Sequence, residues 1–434
     1  MNGNPRRSVK LGDLFAIKHG YAFKGEHFGT EGSHILLTPG NFFDEGGFKK
    51  KGDKEKWYSG KIPEDYILSR GDLIVAMTEQ GEGLLGSAAI VPESSRYLHN
   101  QRLGLIQNLN DVNKRFLYYL FNSHPVRQQI RASCSGVKVR HTSPSRIYDV
   151  KVDIPPLPTQ RKIAAVLTAY DDLIENNLRR IKILEEMAQN LYREWFVKFR
   201  FPGHQRARFV DSPLGRIPEG WKLKLLRDFI TVDKGISYKG EFLTKDGIPM
   251  VNLKCIPPGG GFNRHGTKPY AGVHKSRHRV VSGDLVFANT DLTQAGNIIG
   301  SPGLVPRCGF DQGGLASHHI CIVSVGKHSP VGKMFLFHLL QSGGFREFAK
   351  GCASGTTVLG FRSDDALAFE FVLPPQQLTE RFEQIASDLY DLGESLNDRN
   401  TTLRRTRDLL SPRLISGEVD VSELDITVPV EVAA

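Results

Sequence analysis

Cysteine is scarce in this 434-residue sequence, and none of its five cysteines belongs to a CxxC pair. An odd number of isolated thiols argues against a disulfide framework and against a zinc site built on paired cysteines. The sequence also lacks an apolar run of eighteen residues, and its first residues, MNGNPRRSVK, lack the apolar core of a signal peptide. We therefore expect a cytoplasmic chain with reduced thiols and no membrane contact.

Sequence motifs of catalysis are lacking as well. No segment matches a phosphate-binding loop, and GCASG at 351–355 places Ser354 one position late for a nucleophile elbow. His274 and His278 have a spacing that metal ligands use, but no further ligand motif accompanies them. We therefore predict no catalytic residue, no metal site and no cofactor held by this chain.

Positive charge is in excess. The formal net charge is +10 and the sequence pI is about 9.3. Such an excess favours polyanionic partners, of which nucleic acid is a common one, although charge alone does not identify the partner.

Similar segments recur at a nearly constant separation. GYAFKG at 20–25 matches GISYKG at 235–240, and SRGDLIVAM at 69–77 matches VSGDLVFAN at 281–289. The order is the same in both copies, and the shift drifts by only a few residues, as loop insertions would produce. The separation is too long for a solenoid repeat, so each copy should be a whole domain.

A long segment with helical spacing follows a Pro-Pro pair in each copy. Residues 159–199 contain no Gly or Pro, and apolar residues recur every three or four positions, with Asn177 as a polar gap. This spacing predicts that the two helices pair as a coiled coil, whose register a polar residue commonly fixes. Gly393 weakens the second helix by about 1 kcal/mol. The predicted seam contains Ile163, Leu167, Tyr170, Ile174, Ile181, Leu184 and Leu191, then Ile385, Leu389, Leu392, Leu396, Leu403 and Leu410, with Arg399 and Thr406 as further gaps.

The order of segments predicts two copies of one arrangement, in which a globular domain is followed by a long helix. A pseudo-twofold with antiparallel helices relates two such copies most simply. The alternative is two unrelated amphipathic helices, each packed on its own domain. The predicted boundaries are a first domain at 1–157, a first helix at 158–200, an extended linker at 201–220, a second domain at 221–375, a second helix at 376–416 and a loose acidic tail at 417–434.

Each globular copy combines short strands with interrupted helices, which predicts the α+β class rather than a doubly wound sheet. The predicted strands are 71–77, 87–91, 283–289 and 320–325, and the predicted helical segments are 114–130 and 331–349, each interrupted near its middle by Pro or Gly.

Basic and polar residues cluster in the turn-rich segments. Gln can bond adenine bidentately, Arg can bond guanine, and Lys can hold phosphates. An ordinary solvated loop is the alternative for each residue taken alone. The candidate DNA-binding residues are Tyr21, Lys24, Gln80, Lys138, Arg140, His141 and Arg146 in the first copy, and Tyr238, Lys239, Arg277, Arg279, Thr290, Asp291, Gln294, Thr356 and Thr357 in the second.

Four segments together carry a resemblance to a known family. They are IPPLPTQRKIAAVL at 154–167, REWFVKFRFPGH at 193–204, LGRIPEGWKLKLLRDF at 214–229 and LLSPRLISGEV at 409–419. In this order the chain resembles the specificity subunits of Type I DNA restriction–modification systems, from Leu11 to about Gly417.

The resemblance implies two target recognition domains, each reading half of a split double-stranded DNA target, and a helical spacer that sets the gap. It also implies two modification subunits that bind S-adenosylmethionine and methylate adenine, and restriction subunits that use ATP. The specificity subunit itself would be non-catalytic. The outward helix residues Arg179, Arg180, Lys182, Glu185 and Glu186 are candidates for docking the modification subunits.

Two other functions fit parts of the sequence. A coiled-coil protein adaptor accounts for the helices but not for the basic charge and polar loops. A stand-alone duplicated DNA-binding nuclease accounts for the loops but requires metal or cofactor motifs that the sequence lacks.

Overall fold

The computed structural model describes residues 6–79, 83–136, 139–356 and 358–429. The chain divides into two compact units. Unit 1 contains the residues up to Glu175 and those from Thr402 onward, and unit 2 runs from Asn176 to Thr401.

Short strands and helices make up both units, which confirms the predicted α+β class. The helices are α1 (Lys114–Phe121), α2 (His124–Ala132), α3 (Pro144–Tyr148), α4 (Leu157–Tyr192), α5 (Lys333–Gln341), α6 (Gly343–Gly351), α7 (Ser363–Ala366) and α8 (Gln376–Ser416). In unit 1 the strands are β1 (Arg7–Lys10), β2 (Ala16–His19), β3 (Phe28–Gly29), β4 (His34–Leu36), β5 (Trp57–Tyr58), β6 (Leu73–Ala76), β7 (Thr78–Glu79), β8 (Ala88–Ile90), β9 (Tyr97–Leu98), β10 (Leu103–Gln107), β11 (Arg140–His141) and β12 (Lys151–Ile154). In unit 2 they are β13 (Phe209–Ser212), β14 (Gly215–Pro218), β15 (Lys222–Leu225), β16 (Ile230–Lys234), β17 (Leu243–Val251), β18 (Lys268–Tyr270), β19 (Arg279–Val280), β20 (Leu285–Ala288), β21 (Thr290–Asp291), β22 (Pro302–Leu304), β23 (Gly314–Ala316), β24 (Ile320–Val325), β25 (Leu359–Gly360) and β26 (Glu370–Leu373).

The central sheet has the same order in both units. Unit 1 contains the antiparallel sheet β2-β10-β6-β8, and unit 2 contains the antiparallel sheet β16-β24-β20-β22. A second four-stranded sheet in each unit includes one parallel pair, β4 with β9 and β17 with β23. The duplication inferred from sequence is therefore a duplication of strand order.

The GDL motif marks the most buried strand of each unit. Leu73 and Val75 of β6 pack into one core cluster, whereas Ile74 and Ala76 pack into another. A strand that is covered on both faces reads as an uninterrupted apolar run, because alternate side chains enter different cores. Strand β20 divides its side chains between two cores in the same way.

The predicted interruptions of the helical segments are present. Asn113 accepts a hydrogen bond from the amide of Phe116 (2.9 Å) and caps α1, which ends before the α2 segment containing Pro125. In unit 2, Ser342 separates α5 from α6 and accepts a hydrogen bond from the amide of Phe345 (3.4 Å).

Antiparallel pairing of α4 and α8 is visible within each unit. In unit 1, Asp171 of α4 pairs with Arg407 of α8 (Oδ1–Nη1 2.5 Å) and accepts a hydrogen bond from the hydroxyl of Tyr119 (2.6 Å). In unit 2, the side-chain amide of Asn177 donates to the side-chain oxygen of Asn400 (2.9 Å). Asn177 was a predicted polar gap, but its partner Asn400 was not.

The predicted seam needs one correction in α8. Leu396 is buried as predicted, but Leu392 is 44% exposed, and the buried position beside it belongs to Gly393. Likewise, Arg399 and Thr406 are exposed, whereas Asn400 is buried. Residues three or four positions apart lie on the same face of a helix, so an apolar pattern can fit either of two adjacent positions. Because the buried positions hold the small Gly393 and the polar Asn400, the sequence pattern placed their neighbours Leu392 and Arg399 on the seam instead.

The other predicted seam residues lie on the inner side of the helices or at its margin. Within α4, Ile163, Leu167, Ile174 and Ile181 are buried, and Tyr170, Leu184 and Leu191 are half-buried. Within α8, the half-buried members are Ile385, Leu389, Leu403 and Leu410.

Unit 2 attaches its sheets to α8 through a buried carboxylate. Glu394 accepts a hydrogen bond from the backbone amide of Arg307 (2.9 Å) and pairs with the guanidinium of Arg264. Arg307 also pairs with Asp391 one turn away on α8 (3.0 Å). These contacts fix the loops before β18 and after β22 against the middle of α8.

Two segments are more ordered than the sequence analysis expected. Within the predicted linker, β13 and β14 form a hairpin, and Phe199 and Phe201 contact the ring of Trp221. The described part of the predicted tail also packs, because Val421 is buried and Lys162 donates to the backbone carbonyls of the tail.

Candidate nucleic-acid interface

A buried carboxylate organises the loop that follows the GDL strand in each unit. Glu79 accepts hydrogen bonds from the backbone amides of Gly83 (3.2 Å) and Leu85 (2.8 Å). At the equivalent position, Asp291 accepts from the backbone amides of Thr293 (2.7 Å) and Ile298 (2.8 Å). Burial works against ionisation of Asp291, but these amides hold its pKa below the usual range.

A buried arginine holds the other side of the same loop. In unit 1, Arg127 of α2 donates to the carbonyls of Gly83, Asp44 (3.1 Å) and Leu85 (2.9 Å). In unit 2, Arg346 of α6 donates to the hydroxyl of Ser301 and the carbonyl of Asn297. Burial lowers the pKa of Arg127 to about 10 and lowers the pKa of Arg346 in the same direction. Both guanidinium groups are still charged at neutral pH.

We call Glu79 with Arg127, and Asp291 with Arg346, the loop clamps of units 1 and 2. Each clamp bonds loop amides through a carboxylate and loop oxygens through a guanidinium. Charge-assisted hydrogen bonds are stronger than neutral ones, so the clamps hold the described residues of both loops firmly against the core. Loops positioned by a rigid scaffold are typical of recognition surfaces.

A glycine completes each clamped loop. Gly86 and Gly300 have positive φ angles of 77° and 69°. A Cβ atom on either residue would lie 2.8 Å from a side chain of the arginine-bearing helix, Ile130 in unit 1 and Ala349 in unit 2. Glycine is therefore required by both backbone conformation and space.

A short antiparallel ribbon borders each clamped loop. In unit 1, β7 pairs with β11, Arg140 approaches Glu79 (3.5 Å), and His141 contacts the hydroxyl of Thr78 (3.2 Å). Arg146 donates to the hydroxyl of Ser135 (2.9 Å) beside this ribbon. The structure thus brings three predicted residues of the first copy together.

The equivalent ribbon of unit 2 pairs β21 with β25. The side-chain amide of Gln294 extends this ribbon by donating to the backbone carbonyl of Thr356 (2.7 Å). Thr290 and Asp291 are buried, so they support the loop and present no side-chain surface to a ligand. The predicted residues Gln80, Lys138 and Thr357 lie outside the described residues.

In each unit, the repeated GxxxKG turn requires its first glycine for steric reasons and carries one exposed lysine. A Cβ atom on Gly20 would lie 2.0 Å from the carbonyl oxygen of Asn100, and one on Gly235 would lie 2.2 Å from that of Ala316. Lys24 and Lys239 are exposed at the start of the following 3₁₀ turns. Each lies near a glutamate two residues later, at 3.8 Å and 3.7 Å.

The aromatic residues of this turn have unequal surroundings. Tyr21 is exposed and contacts Tyr66 with 5.3 Å between ring centroids, while the ammonium of Lys18 lies 4.8 Å from the centroid of the Tyr66 ring. Tyr238 is half-buried and lies 6.1 Å from His318. Sequence analysis missed Lys18, Tyr66 and His318, because only the folding of the chain brings them next to the aromatic residues of the repeated turn.

The remaining predicted cations lie on the surface of unit 2. Arg277 and Arg279 are exposed on either side of His278, which is buried. On α4, the predicted docking residues Arg179, Arg180, Lys182, Glu185 and Glu186 are all exposed.

No cluster of three or more potential metal ligands occurs in the described part of the chain. Across the same ranges, no helix has the length and apolar character needed to span a membrane.

Comparison with known proteins gives concordant results. Residues 6–186 match the family described as "Type I restriction modification DNA specificity domain". The chain is 25% identical to the Type I restriction enzyme MjaIX specificity subunit of Methanocaldococcus jannaschii, over 75% of this chain and 73% of that protein. It is 26% identical to the EcoBI specificity subunit of Escherichia coli, over 58% of this chain and 52% of that protein.

A solved structure shares the fold. The S subunit of a Type-I restriction-modification system from M. genitalium aligns with a TM-score of 0.56 and 13% sequence identity. The alignment covers 96% of this chain and 97% of the solved chain. The resemblance predicted from the sequence motifs is thereby confirmed.

Proposed function

We propose that this chain, whose residues 6–186 match the Type I restriction modification DNA specificity domain, is the sequence-reading component of such a complex. In this proposal, each unit reads one half of an asymmetric, bipartite double-stranded DNA target. The chain binds DNA and performs no chemistry on it.

The observation that supports this proposal is the pair of loop clamps. In both units a clamp ties the described residues of a loop beside a two-stranded ribbon, yet the side chains near the two ribbons differ. Arg140, His141 and Arg146 border the ribbon of unit 1, whereas Gln294 and Thr356 border that of unit 2. Similar frames with different donors and acceptors are suited to reading two different short sequences, because base edges in the major groove differ in donor and acceptor pattern.

The DNA backbone would be held by the exposed lysines of the repeated turn, Lys24 and Lys239. Each is flanked by a single glutamate, and surface ion pairs of this kind are weak. A phosphate can therefore replace the glutamate at little cost. Phosphate contacts supply affinity and register without sequence preference.

The partners in this proposal are two modification subunits that use S-adenosylmethionine to methylate adenine, together with restriction subunits that use ATP. The cofactors belong to those partners. The exposed charged residues of α4, accompanied by exposed Ile183 and Met187, form the proposed docking face for a modification subunit. The complex would act in the cytoplasm, where its DNA substrate lies.

The distance between half-sites would depend on the register of α4 against α8. The Asn177–Asn400 hydrogen bond supports a single register, because Asn400 is fully buried and a shifted helix would leave its side-chain oxygen without a donor. Replacing both residues by leucine removes this constraint and should broaden the range of accepted spacings.

The experiment that tests the proposal is selection from a random duplex pool at near-physiological salt, with the chain bound to its modification subunits. Enrichment of two short, unlike motifs at one spacing is the expected result. A single contiguous motif would show that only one unit reads DNA. No enrichment by a folded, assembled complex would overturn DNA reading and favour a protein adaptor.

A further inference from the structure

The two largest apolar cores of unit 2 differ in their relation to α8. The core around Phe335 includes Phe382 and Ala386 of this helix. The core around Phe310 includes Val251 of the second sheet, β18-β17-β23-β19, and among the described residues it contains none from α8. The second sheet is therefore joined to the helix by contacts of another kind.

Those contacts are polar and come from two arginines, in the loops that precede β18 and β23. Arg264 pairs with the buried carboxylate of Glu394, which also accepts a hydrogen bond from the backbone amide of Arg307 (2.9 Å). The guanidinium of Arg307 pairs with the carboxylate of Asp391 (3.0 Å) and donates to its carbonyl (3.2 Å). A buried carboxylate that loses its cationic partner is strongly unfavourable, so these contacts favour one position of the sheet on α8.

Backbone hydrogen bonds identify the equivalent positions of unit 1. Two such bonds occur in both units with lengths of 2.7 to 2.9 Å, and they run from amide to carbonyl between Lys49 and Asn41 and between Val91 and Asp72 in unit 1, and between Asn263 and Cys255 and between Val305 and Asp284 in unit 2. By this correspondence Arg264 matches Lys50, and Arg307 matches Glu93.

The matched residues of unit 1 pair with each other. The ammonium of Lys50 lies 2.6 Å from the carboxylate of Glu93, and both side chains are more than one-third exposed. In unit 2 the same two positions hold Arg264 and Arg307. Because two arginines cannot pair with each other, they need carboxylates from another element, and α8 supplies them.

We propose that Glu394, Arg264 and Arg307, which we call the helix lock, are positioning residues that hold the second sheet at one angle to α8, so that unit 2 accepts its half-site at a single spacing. This proposal rests on the proposed function and deepens it. Candidate DNA contacts lie along the same sheet, because Arg279 begins β19 and the turn containing Lys239 leads into β17. A change in the angle of the sheet would displace these cations along the DNA.

The lock is tested first without DNA, by hydrogen–deuterium exchange of the chain bound to its modification subunits. Glu394→Gln and Arg264→Gln should each increase amide exchange in the loops 262–267 and 305–310 about tenfold, because loss of a charge-assisted hydrogen bond shifts a local opening equilibrium by at least that factor. Arg264 lies nearer the surface than Glu394, so Arg264→Gln tests the same pair if Glu394→Gln prevents folding.

Two matched controls make the same kind of change outside the lock. Glu380→Gln alters an exposed carboxylate of α8, and Glu93→Gln breaks the exposed pair of unit 1. Neither should change exchange in the two loops. The double variant Arg264→Gln, Glu394→Gln should exchange no faster than Glu394→Gln alone, because partners in one interaction are not additive. Additive increases, or exchange equal to that of the unaltered chain, would overturn the lock.

The role in DNA recognition is tested by selection from a random duplex pool with the same complexes. The lock variants should keep the base preferences of both half-sites, while targets whose gap is one base pair longer or shorter become enriched several-fold. Weaker binding at one unchanged spacing would show that Glu394 serves stability alone and would overturn the positioning role. Absence of any enriched motif for the unaltered complex would overturn the proposed function, whereas the exchange measurement would still decide whether the lock exists.

Discussion

Unit 1 holds its loop with Glu79 and Arg127, whereas unit 2 uses Asp291 and Arg346 for a loop with a different sequence. The buried residues that hold the loop have the same arrangement in both units, whereas the exposed side chains of the loop differ. One buried position departs from this division: Tyr119 of unit 1 donates a hydrogen bond to Asp171, but the equivalent His338 of unit 2 stacks on Tyr192 with 5.9 Å between ring centroids. Duplication thus preserved the buried contacts that shape the loop and left the exposed side chains free to differ.

Removal of either clamp arginine should have the largest effect. Arg127→Met or Arg346→Met should lower the free energy of unfolding by about 3 kcal/mol, because buried loop oxygens lose charged donors. Urea unfolding followed by tryptophan fluorescence measures this, with Trp57 in unit 1 and Trp195 and Trp221 in unit 2.

Exposed arginines provide the controls, and Arg102→Met and Arg279→Met should change stability by less than about 0.5 kcal/mol. If the clamp variants behave like these controls, the two loops are not held by their arginines.

Each unit also contains one deeply buried histidine in its core, His99 in unit 1 and His338 in unit 2, and the two should respond alike to acid. Burial lowers the pKa of His99 in unit 1 and of His338 in unit 2 to about 4. Unfolded histidine binds a proton near pH 6.5, so the unfolded state takes up more protons below that pH. Stability is therefore fully present above about pH 6.5 and falls as the pH decreases toward 4.

Between pH 7 and pH 5, each histidine should reduce the free energy of unfolding by about 2 kcal/mol. His99→Gln and His338→Gln should each flatten this pH dependence, whereas the exposed His265→Gln should not. An unchanged pH profile in either variant would show that its histidine ionises without penalty.

The salt dependence of DNA binding should distinguish the exposed lysines of the repeated turn from the buried residues that hold the loops. Lys24→Ala combined with Lys239→Ala should reduce the slope of log affinity against log salt by about 2, since two phosphate contacts are lost. The preferred DNA sequence should not change. Binding isotherms between 50 and 300 mM salt measure the slope, and Lys54→Ala with Lys245→Ala, exposed lysines outside the turn, is the charge-matched control. Equal slopes for both pairs would remove the repeated turn from the phosphate contacts.

The smallest effect is expected at Gly393, whose surroundings are the opposite of those of Gly235. Gly393→Ala should raise the free energy of unfolding by about 1 kcal/mol, because alanine favours a helix and an added Cβ would meet no atom within 4 Å. Gly235→Ala should lower it, because its Cβ would collide with the backbone at Ala316. Destabilisation by Gly393→Ala in the same unfolding measurement would show that this helix position is closely packed.

Sequence patterns predicted those parts of the fold that depend on residues close together in the sequence. The buried strands followed from apolar runs after Gly-Asp, and the break between α1 and α2 followed from Pro125. The alternation of α8 was mistaken at Leu392, because a heptad pattern cannot show which of two neighbouring positions faces a partner helix. Only the tertiary arrangement decides that.

The sequence predicted which loops form the candidate site, but it did not predict the role of each residue in them. Asp291 lies in the expected loop, but a buried carboxylate that bonds amides has the same sequence signature as an exposed one that bonds a base. Its role depends on Arg346, which is distant in sequence and carries no motif of its own. Lys18 and Tyr66 were missed for the same reason.

The composition of unit 1 has a consequence for biosynthesis. Its core includes Leu414, Ile415 and Val421, and Arg6 donates to the backbone carbonyl of Ile415. Unit 2 is continuous in sequence and needs no residue beyond Thr401 to complete its core. Unit 1 begins before unit 2 and needs residues that follow it. The unit whose synthesis starts first is therefore finished last, and a premature stop soon after Thr401 would damage unit 1.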